Sequence, residues 1–163
     1  MPARNPRRRP TLKRPTDRTV DRTFTGFLDG LPFGVMVLTE DHLIRGINVE
    51  GARLLYRPQS DLIGHSFPAI WSDLTRSDAR DVIGCLERVS ALREPMPHTT
   101  IRLHHGTTGS IPVQWTCQSV DQGATYGFVI SVRDLSREEC LREERDRLAA
   151  IAEQTPSPVV EMD

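Results

Sequence analysis

The sequence lacks any long apolar run. No stretch approaches the roughly 20 apolar residues that a membrane-spanning helix requires. No apolar segment follows the basic N-terminus, as it would in a secretory signal peptide. The sequence therefore predicts a cytoplasmic protein without a membrane span.

Cysteine is scarce and follows no pattern. Cys85, Cys117 and Cys140 are isolated from one another, odd in number and never in C-x-x-C spacing. This argues against a disulfide framework and a zinc site, and it favours reduced thiols. His104 and His105 are adjacent, but neighbouring side chains of a strand point to opposite faces and cannot chelate one ion together. We predict no metal site.

Catalytic motifs are also missing. The sequence contains no glycine-rich phosphate loop and no G-x-S-x-G nucleophile elbow. It lacks the phosphoacceptor box of histidine kinases and the Gly-Gly-Asp-Glu-Phe loop of diguanylate cyclases. Asp78 and Asp81 lie one turn apart on a predicted helix, where a solvated face explains them better than acid–base chemistry. We predict that this chain is not an enzyme.

Charge, by contrast, is present and unevenly distributed. The net charge of the 163 residues is -1, but residues 1–22 carry eight Lys or Arg against two Asp. This head also contains four prolines and few large apolar residues, so burial cannot offset its ordering entropy, and we predict that it is disordered. The basic run Arg7–Arg9 is suited to nucleic acid or to an anionic membrane surface. We interpret the head as a solubilising tail and predict no nucleic-acid partner.

The first part of the remaining chain has the pattern of a hairpin followed by helices. The stretches "GVMVLTED" (34–41) and "HLIRGIN" (42–48) are short, apolar and joined by polar turn residues, which is typical of paired strands. Asn48 is a favourable helix-capping residue, and the turn "SDLIG" ends at Gly64. Apolar residues then recur at helical spacing and predict one long helix from about Thr75 to Leu92.

Three further strands follow this helix. Period-two alternation is clear in residues 98–105, 110–119 and 124–134. Pro112 suggests a strand end or an edge strand. The element order predicts an α+β fold, in which a five-stranded antiparallel sheet is covered on one face by helices.

These motifs, in this order, resemble a PAS (Per-Arnt-Sim) domain over residues 24–136. "GVMVLTEDHLIRGIN" resembles the first hairpin of the family, with Asn48 as the structural cap of the first short helix. "YRPQSDLIGHSF" resembles the stretch that follows in the family, although Tyr56 lacks the preceding Gly. "RDLS" (133–136) resembles the closing Asp-Ile-Thr signature.

The end of this region joins a strand to a helix. Ser136 and Glu139 have the spacing of a capping box, so the strand runs into a helix without slack. The resemblance implies that this junction relays a signal outward. Its relay residues are Asp134, Leu135, Ser136 and Glu139.

The helix over 137–155 is charged and has a narrow apolar seam. Leu141, Leu148 and Ile151 are spaced by seven and three residues, as in a two-stranded coiled coil. Glu144 interrupts this seam, so pairing should be marginal. We predict a signalling helix that forms a parallel homodimer; the alternative is a solvated linker helix in a monomer.

The resemblance also implies a ligand pocket between the sheet and the long helix. The same residues would form the core of any such domain, so the two interpretations remain open. The candidates are Leu54, Trp71, Ile83, Leu86, Ile101, Trp115, Phe128 and Ile130.

Two cofactors of the family are disfavoured. "GHSFPAIWSD" has no Cys where the photosensory flavin branch places one, and residues 72–94 have no His where the haem branch places its axial ligand. A redox flavin flanked by Trp71 and Trp115 stays an open alternative. A small metabolite, or no ligand at all, fits better.

The C-terminal stretch "QTPSPVVEMD" is similar to "GLPFGVMVLT" near the start of the domain. Pro156 aligns with Pro32, and Val159-Val160 with Val35-Met36. We interpret residues 156–163 as the truncated start of a second PAS-like repeat.

These inferences predict a sensory and dimerisation module of a multidomain, bacterial-type signalling protein. The parent would be a sensor histidine kinase of a two-component phosphorelay or a cyclic-di-nucleotide enzyme, and its downstream output domain would receive the signal. The alternative is a protein–protein interaction domain that binds no small molecule.

Overall fold

The computed structural model describes residues 26–106, 109–121 and 126–154. The predicted disordered head (1–22) and the predicted second repeat (156–163) lie outside these residues. Within them a short helical turn at 26–28 is followed by strands β1–β5 and helices α1–α4. Their bounds are β1 Gly34–Thr39, β2 Ile44–Ile47, α1 Val49–Leu54, a 3-10 turn Gln59–Asp61, α2 Phe67–Thr75, α3 Ala79–Leu92, β3 Thr99–His105, β4 Gly109–Asp121, β5 Tyr126–Asp134 and α4 Ser136–Gln154.

The five strands form one antiparallel sheet in the order β2-β1-β5-β4-β3. The predicted α+β fold and the five-stranded antiparallel sheet are confirmed. β5 is the central strand, since it pairs with β1 on one side and with β4 on the other. The last strand of the domain therefore lies in the middle of the sheet, with two strands on each side.

The core lies between this sheet and helices α1–α3. Met36, Ile130 and Cys117 stand side by side on adjacent strands, and all three are fully buried. Trp71 of α2 and Leu86 of α3 belong to the same cluster of buried side chains. The alternating residues point to the opposite, outer face of the sheet.

The predicted helix from Thr75 to Leu92 is wrong at its start. Thr75 is the last residue of a separate helix, α2, which the sequence analysis missed, and α3 begins only at Ala79. The helices are separated because Arg76 adopts a left-handed conformation (φ 56°) and Asp78 caps α3. Two signals could have revealed α2, since Ser66 is its N-cap and Pro68 lies in its first turn.

Pro112 does not mark an edge strand, because β4 lies between β5 and β3. The carbonyl of Pro112 accepts a hydrogen bond from Leu135 N (2.9 Å), so this residue's peptide groups face the β5 side. Pairing of β5 with β4 ends at Asp134, opposite Val113. The missing N–H of Pro112 therefore falls just beyond the end of the ladder and costs no sheet hydrogen bond.

Candidate functional site

The strand–helix junction consists of Asp134, Leu135 and Ser136. One residue, Leu135, separates β5 from α4. Asp134 Oδ1 accepts the backbone N–H of Ser136 at 2.8 Å. Leu135 N donates to Pro112 O of β4. The junction is therefore tied to two strands, and α4 starts without a flexible linker.

The predicted capping box is wrong, because Ser136 is already the first residue of α4. The cap is Asp134, and the amide of Glu139 donates to Leu135 O in an ordinary helical hydrogen bond. The Glu139 carboxylate pairs with Arg102 of β3 (3.5 Å) instead of reaching back to the helix start. Its neighbour Glu138 pairs with Arg133 of β5. Both arginines project from the outer face of the sheet, so they clamp the first turn of α4 onto it.

A second group holds the junction from the helical side. Arg53 of α1 donates to both carboxylate oxygens of Glu50 (2.6 and 3.0 Å) and lies 3.5 Å from Asp134 Oδ2. The hydrogen bond from Arg53 lowers the pKa of Glu50, and the pKa of Arg53 is raised. For Asp134, partial burial acts to raise the pKa, but hydrogen bonds from Ser136 and Arg53 prevail and lower it. Asp134 is therefore a carboxylate at neutral pH.

Arg53 is a junction residue that was not predicted from the sequence. Its pairing with Glu50 could have been found from the three-residue helical spacing. Its contact with Asp134 crosses 81 residues of sequence and has no local signal.

Asn48 is confirmed as the cap of α1, and it does more than cap. Its Oδ1 accepts the amides of Gly51 and Val35 (2.8 Å each), while its Nδ2 donates to the carbonyls of Leu28 and Phe33 (2.9 Å each). The side chain is fully buried, and all four bonds of its amide are satisfied. Asn48 therefore joins α1, β1 and the segment that precedes β1.

The structure brings most of the predicted pocket residues together in the core. Six of them are buried members of one cluster and Ile101 packs against it, whereas Ile83 is half-buried and outside it. Trp71 and Trp115 lie in mutual contact, with ring centroids 5.2 Å apart. The buried six are Leu54, Trp71, Leu86, Trp115, Phe128 and Ile130.

Two clefts occur at the surface of the described residues, and none of the eight pocket candidates lines either one. The first, of about 590 Å³, lies at the junction between Phe33, Asp134 and Arg137. The second, of about 600 Å³, lies on the outer face of the sheet beside Val35 and Val129.

The predicted dimer seam lies on the surface of α4. Leu141, Leu148 and Ile151 are 56, 61 and 55% exposed. Apolar side chains at this spacing are available to a second helix. Within the described part of the chain, no helix has the length and hydropathy to cross a membrane.

Comparison with known families agrees with this architecture. A family model described as the PAS fold matches residues 28–139. The chain belongs to the PAS family. No curated protein sequence matches it.

Solved PAS domains share the fold at low sequence identity. The photoactive yellow protein domain of a sensor histidine kinase from Rhodospirillum centenum has a TM-score of 0.56 and 21% identity, covering 71% of this chain and 97% of that one. The PAS domain of a LuxR-family transcriptional regulator from Burkholderia thailandensis, in complex with ethanol, has a TM-score of 0.51, 22% identity and coverages of 69 and 97%. The PAS domain of nitrogen regulation protein NR(II) from Vibrio parahaemolyticus has a TM-score of 0.51, 12% identity and coverages of 68 and 95%.

Proposed function

We propose that this PAS domain is a sensory and dimerisation module of a multidomain signal-transduction protein. A ligand or partner alters the sheet, and the change passes through Asp134–Ser136 into α4 and on to an output domain. The observation that carries the proposal is the direct continuation of the central strand β5 into α4. Similar domains in a sensor histidine kinase and a transcriptional regulator support this class of parent protein.

The geometry gives the relay a physical basis. β5 contacts β1 and β4 along its length, so a change in either neighbour displaces it. The Asp134–Ser136 hydrogen bond transmits this displacement to α4, because the strand end and the helix start share one carboxylate. The ion pairs of Glu138 and Glu139 fix the angle at which the helix leaves the sheet.

α4 is also the proposed dimer contact. Its exposed seam pairs with that of a second copy, and a parallel arrangement directs both helices toward the same output domains. The seam is short and contains Glu144, so the dimer is weak and sensitive to the position of α4. This is a useful property for a switch, because a small free-energy change redistributes the two states.

The relay can be tested with a probe on the native Cys140, which is exposed on α4. Cys117 is buried, so in the Cys85→Ser variant Cys140 is the thiol that a spin label modifies. Melting temperature and native mass are first measured against a panel of small metabolites; the ethanol complex of the Burkholderia domain is a reason to include small alcohols. A bound ligand should change the mobility of the label, and Asp134→Ala should abolish that change. Binding that leaves the label unaffected would refute transmission through the junction.

A second function, a protein-interaction domain without a ligand, is favoured by one observation. The predicted pocket residues pack against one another in the core, and neither surface cleft is lined by them. In that case the metabolite panel leaves the melting temperature unchanged, and native mass spectrometry gives the mass of the chain alone.

A further inference from the structure

Helix α1 is bonded at both ends to the segments through which the chain enters and leaves the domain. We call residues 26–33 the leading segment. At the start of α1, the Val49 amide donates to Asp29 Oδ1 (2.9 Å), and Asn48 holds the carbonyls of Leu28 and Phe33. At the other end, Arg53 reaches Asp134.

We propose that α1 is a mechanical link that couples the leading segment to α4. The module then has a second input, from the part of the chain that precedes it, which acts without any ligand in the core. This inference rests on the proposed function, because it takes α4 as the output element.

The link is short and closely supported. α1 has six residues, so its ends are only about 9 Å apart and it moves as a unit. A Cβ atom on Gly34 of β1 would lie 2.9 Å from the Cα of Gly51, which shows that the two backbones are in direct contact. α1 therefore has little room to bend independently, and a displacement at Asp29 is transmitted along the helix to Arg53.

The contact between Arg53 and Asp134, which links α1 to the start of α4, is the one that can break. Arg53 is held bidentately by Glu50 of its own helix, whereas its contact with Asp134 is longer and partly exposed. If α1 shifts, Arg53 can keep Glu50 and leave Asp134. The carboxylate that caps α4 then loses a positive partner, and the first turn of α4 becomes less stable. An exposed ion pair limits the transmitted effect to a few-fold change in local opening.

Backbone amide exchange of Ser136 and Glu139, which donate to Asp134 Oδ1 and Leu135 O, tests this link when it is measured by NMR on the full chain. Asp29→Ala should accelerate exchange in this first turn of α4 by roughly two- to fivefold, the range that an exposed ion pair can transmit. Asp29→Asn, which keeps an oxygen acceptor for Val49, should restore the slow exchange. Asp78→Ala is the matched control, because it removes the same kind of cap from α3 (Arg80 N to Asp78 Oδ1, 2.9 Å) and should leave α4 unchanged.

The Arg53→Met variant shows whether the effect travels through α1. In that background Asp29→Ala should cause no further acceleration. Unchanged exchange in Asp29→Ala, or the same acceleration with and without Arg53, would overturn the proposal. The exchange experiment needs no ligand, so its result is independent of the Cys140 label experiment. The α1 link can fail while the label still responds to a ligand. Equally, the label can fail to respond while the exchange data support the α1 link.

Discussion

At the scale of single residues, the domain depends on a few polar and glycine positions that serve several elements. Asn48 makes four hydrogen bonds to backbone groups of α1, β1 and the leading segment. Gly34 and Gly51 allow α1 to lie directly on β1. These residues determine where α1 lies, and α1 in turn places Arg53 beside Asp134.

Replacing Asn48 with alanine should destabilise the fold by about 3 kcal/mol or more, because it leaves the Val35 amide and the Leu28 and Phe33 carbonyls without their partner. Gln59→Ala is the comparison: it deletes one part-buried hydrogen bond, to Ile47 O, and should cost about 1 kcal/mol. Urea unfolding followed by circular dichroism measures both. Equal losses would show that Asn48 is only a local cap.

Gly34→Ala should also destabilise the protein, since the new methyl group would meet the Gly51 backbone at 2.9 Å. Gly84→Ala is the matched control, because Gly84 is an exposed position of α3 with no atom within 4 Å of the added Cβ. That variant should instead stabilise the protein by about 0.5–1 kcal/mol through helix propensity. Thermal unfolding of the pair measures the opposite signs; a Gly34→Ala protein as stable as the wild type would contradict the close contact.

At the scale of elements, the sequence predicted the strands and helix starts that depend on a local residue pattern. Short apolar runs joined by polar turn residues located β1 and β2, period-two alternation located β3–β5, and Asn48 located the start of α1. α2 was missed, and the predicted start of the long helix at Thr75 was four residues too early, because the boundary depends on the left-handed Arg76 and the Asp78 cap. The junction was located, but its bonding was not, because Arg53 and Arg102 reach it from distant parts of the chain.

The junction should respond to acid through Asp134. Its pKa is lowered in the folded state, so its contribution to stability is present above the ordinary value of 3.8 and is lost as pH falls through the lowered value. At pH 7, Asp134→Asn should cost no more than about 1 kcal/mol, because the pair with Arg53 is partly exposed. Free energies of unfolding of both proteins, measured from pH 7 to pH 3, should converge below 3.8. A difference that is independent of pH would argue against a charged Asp134 as the stabilising group.

Glu144 weakens the α4 seam in this account. Glu144→Leu should therefore strengthen dimerisation by about tenfold or more, since it places leucine between Leu141 and Leu148. Glu143→Leu adds the same side chain one residue away, off the seam, and should leave the dissociation constant unchanged. Sedimentation velocity over a range of concentrations measures both, and equal strengthening would indicate non-specific apolar association.

At the scale of the whole molecule, the domain is an antiparallel sheet whose central strand leads into an exposed helix. The helix layer fills one face of the sheet, while the first turn of α4 is clamped by arginines of the other face. The apolar pattern of the sequence is enough to predict which residues form the buried core. Which surface meets a partner does not follow from burial, since Leu141, Leu148 and Ile151 are each more than half exposed on α4.

The role of α4 as a dimer stalk is tested by the mass of the chain in solution, measured by multi-angle light scattering over a range of concentrations. The wild type should approach twice the chain mass of 18.4 kDa as concentration rises. Leu148→Glu, which places charge in the seam, should remain at 18.4 kDa, while Ala149→Glu, beside the seam, should behave as the wild type. A wild type that stays monomeric, or a Leu148→Glu variant that still dimerises, would contradict the account of α4 as the dimer stalk.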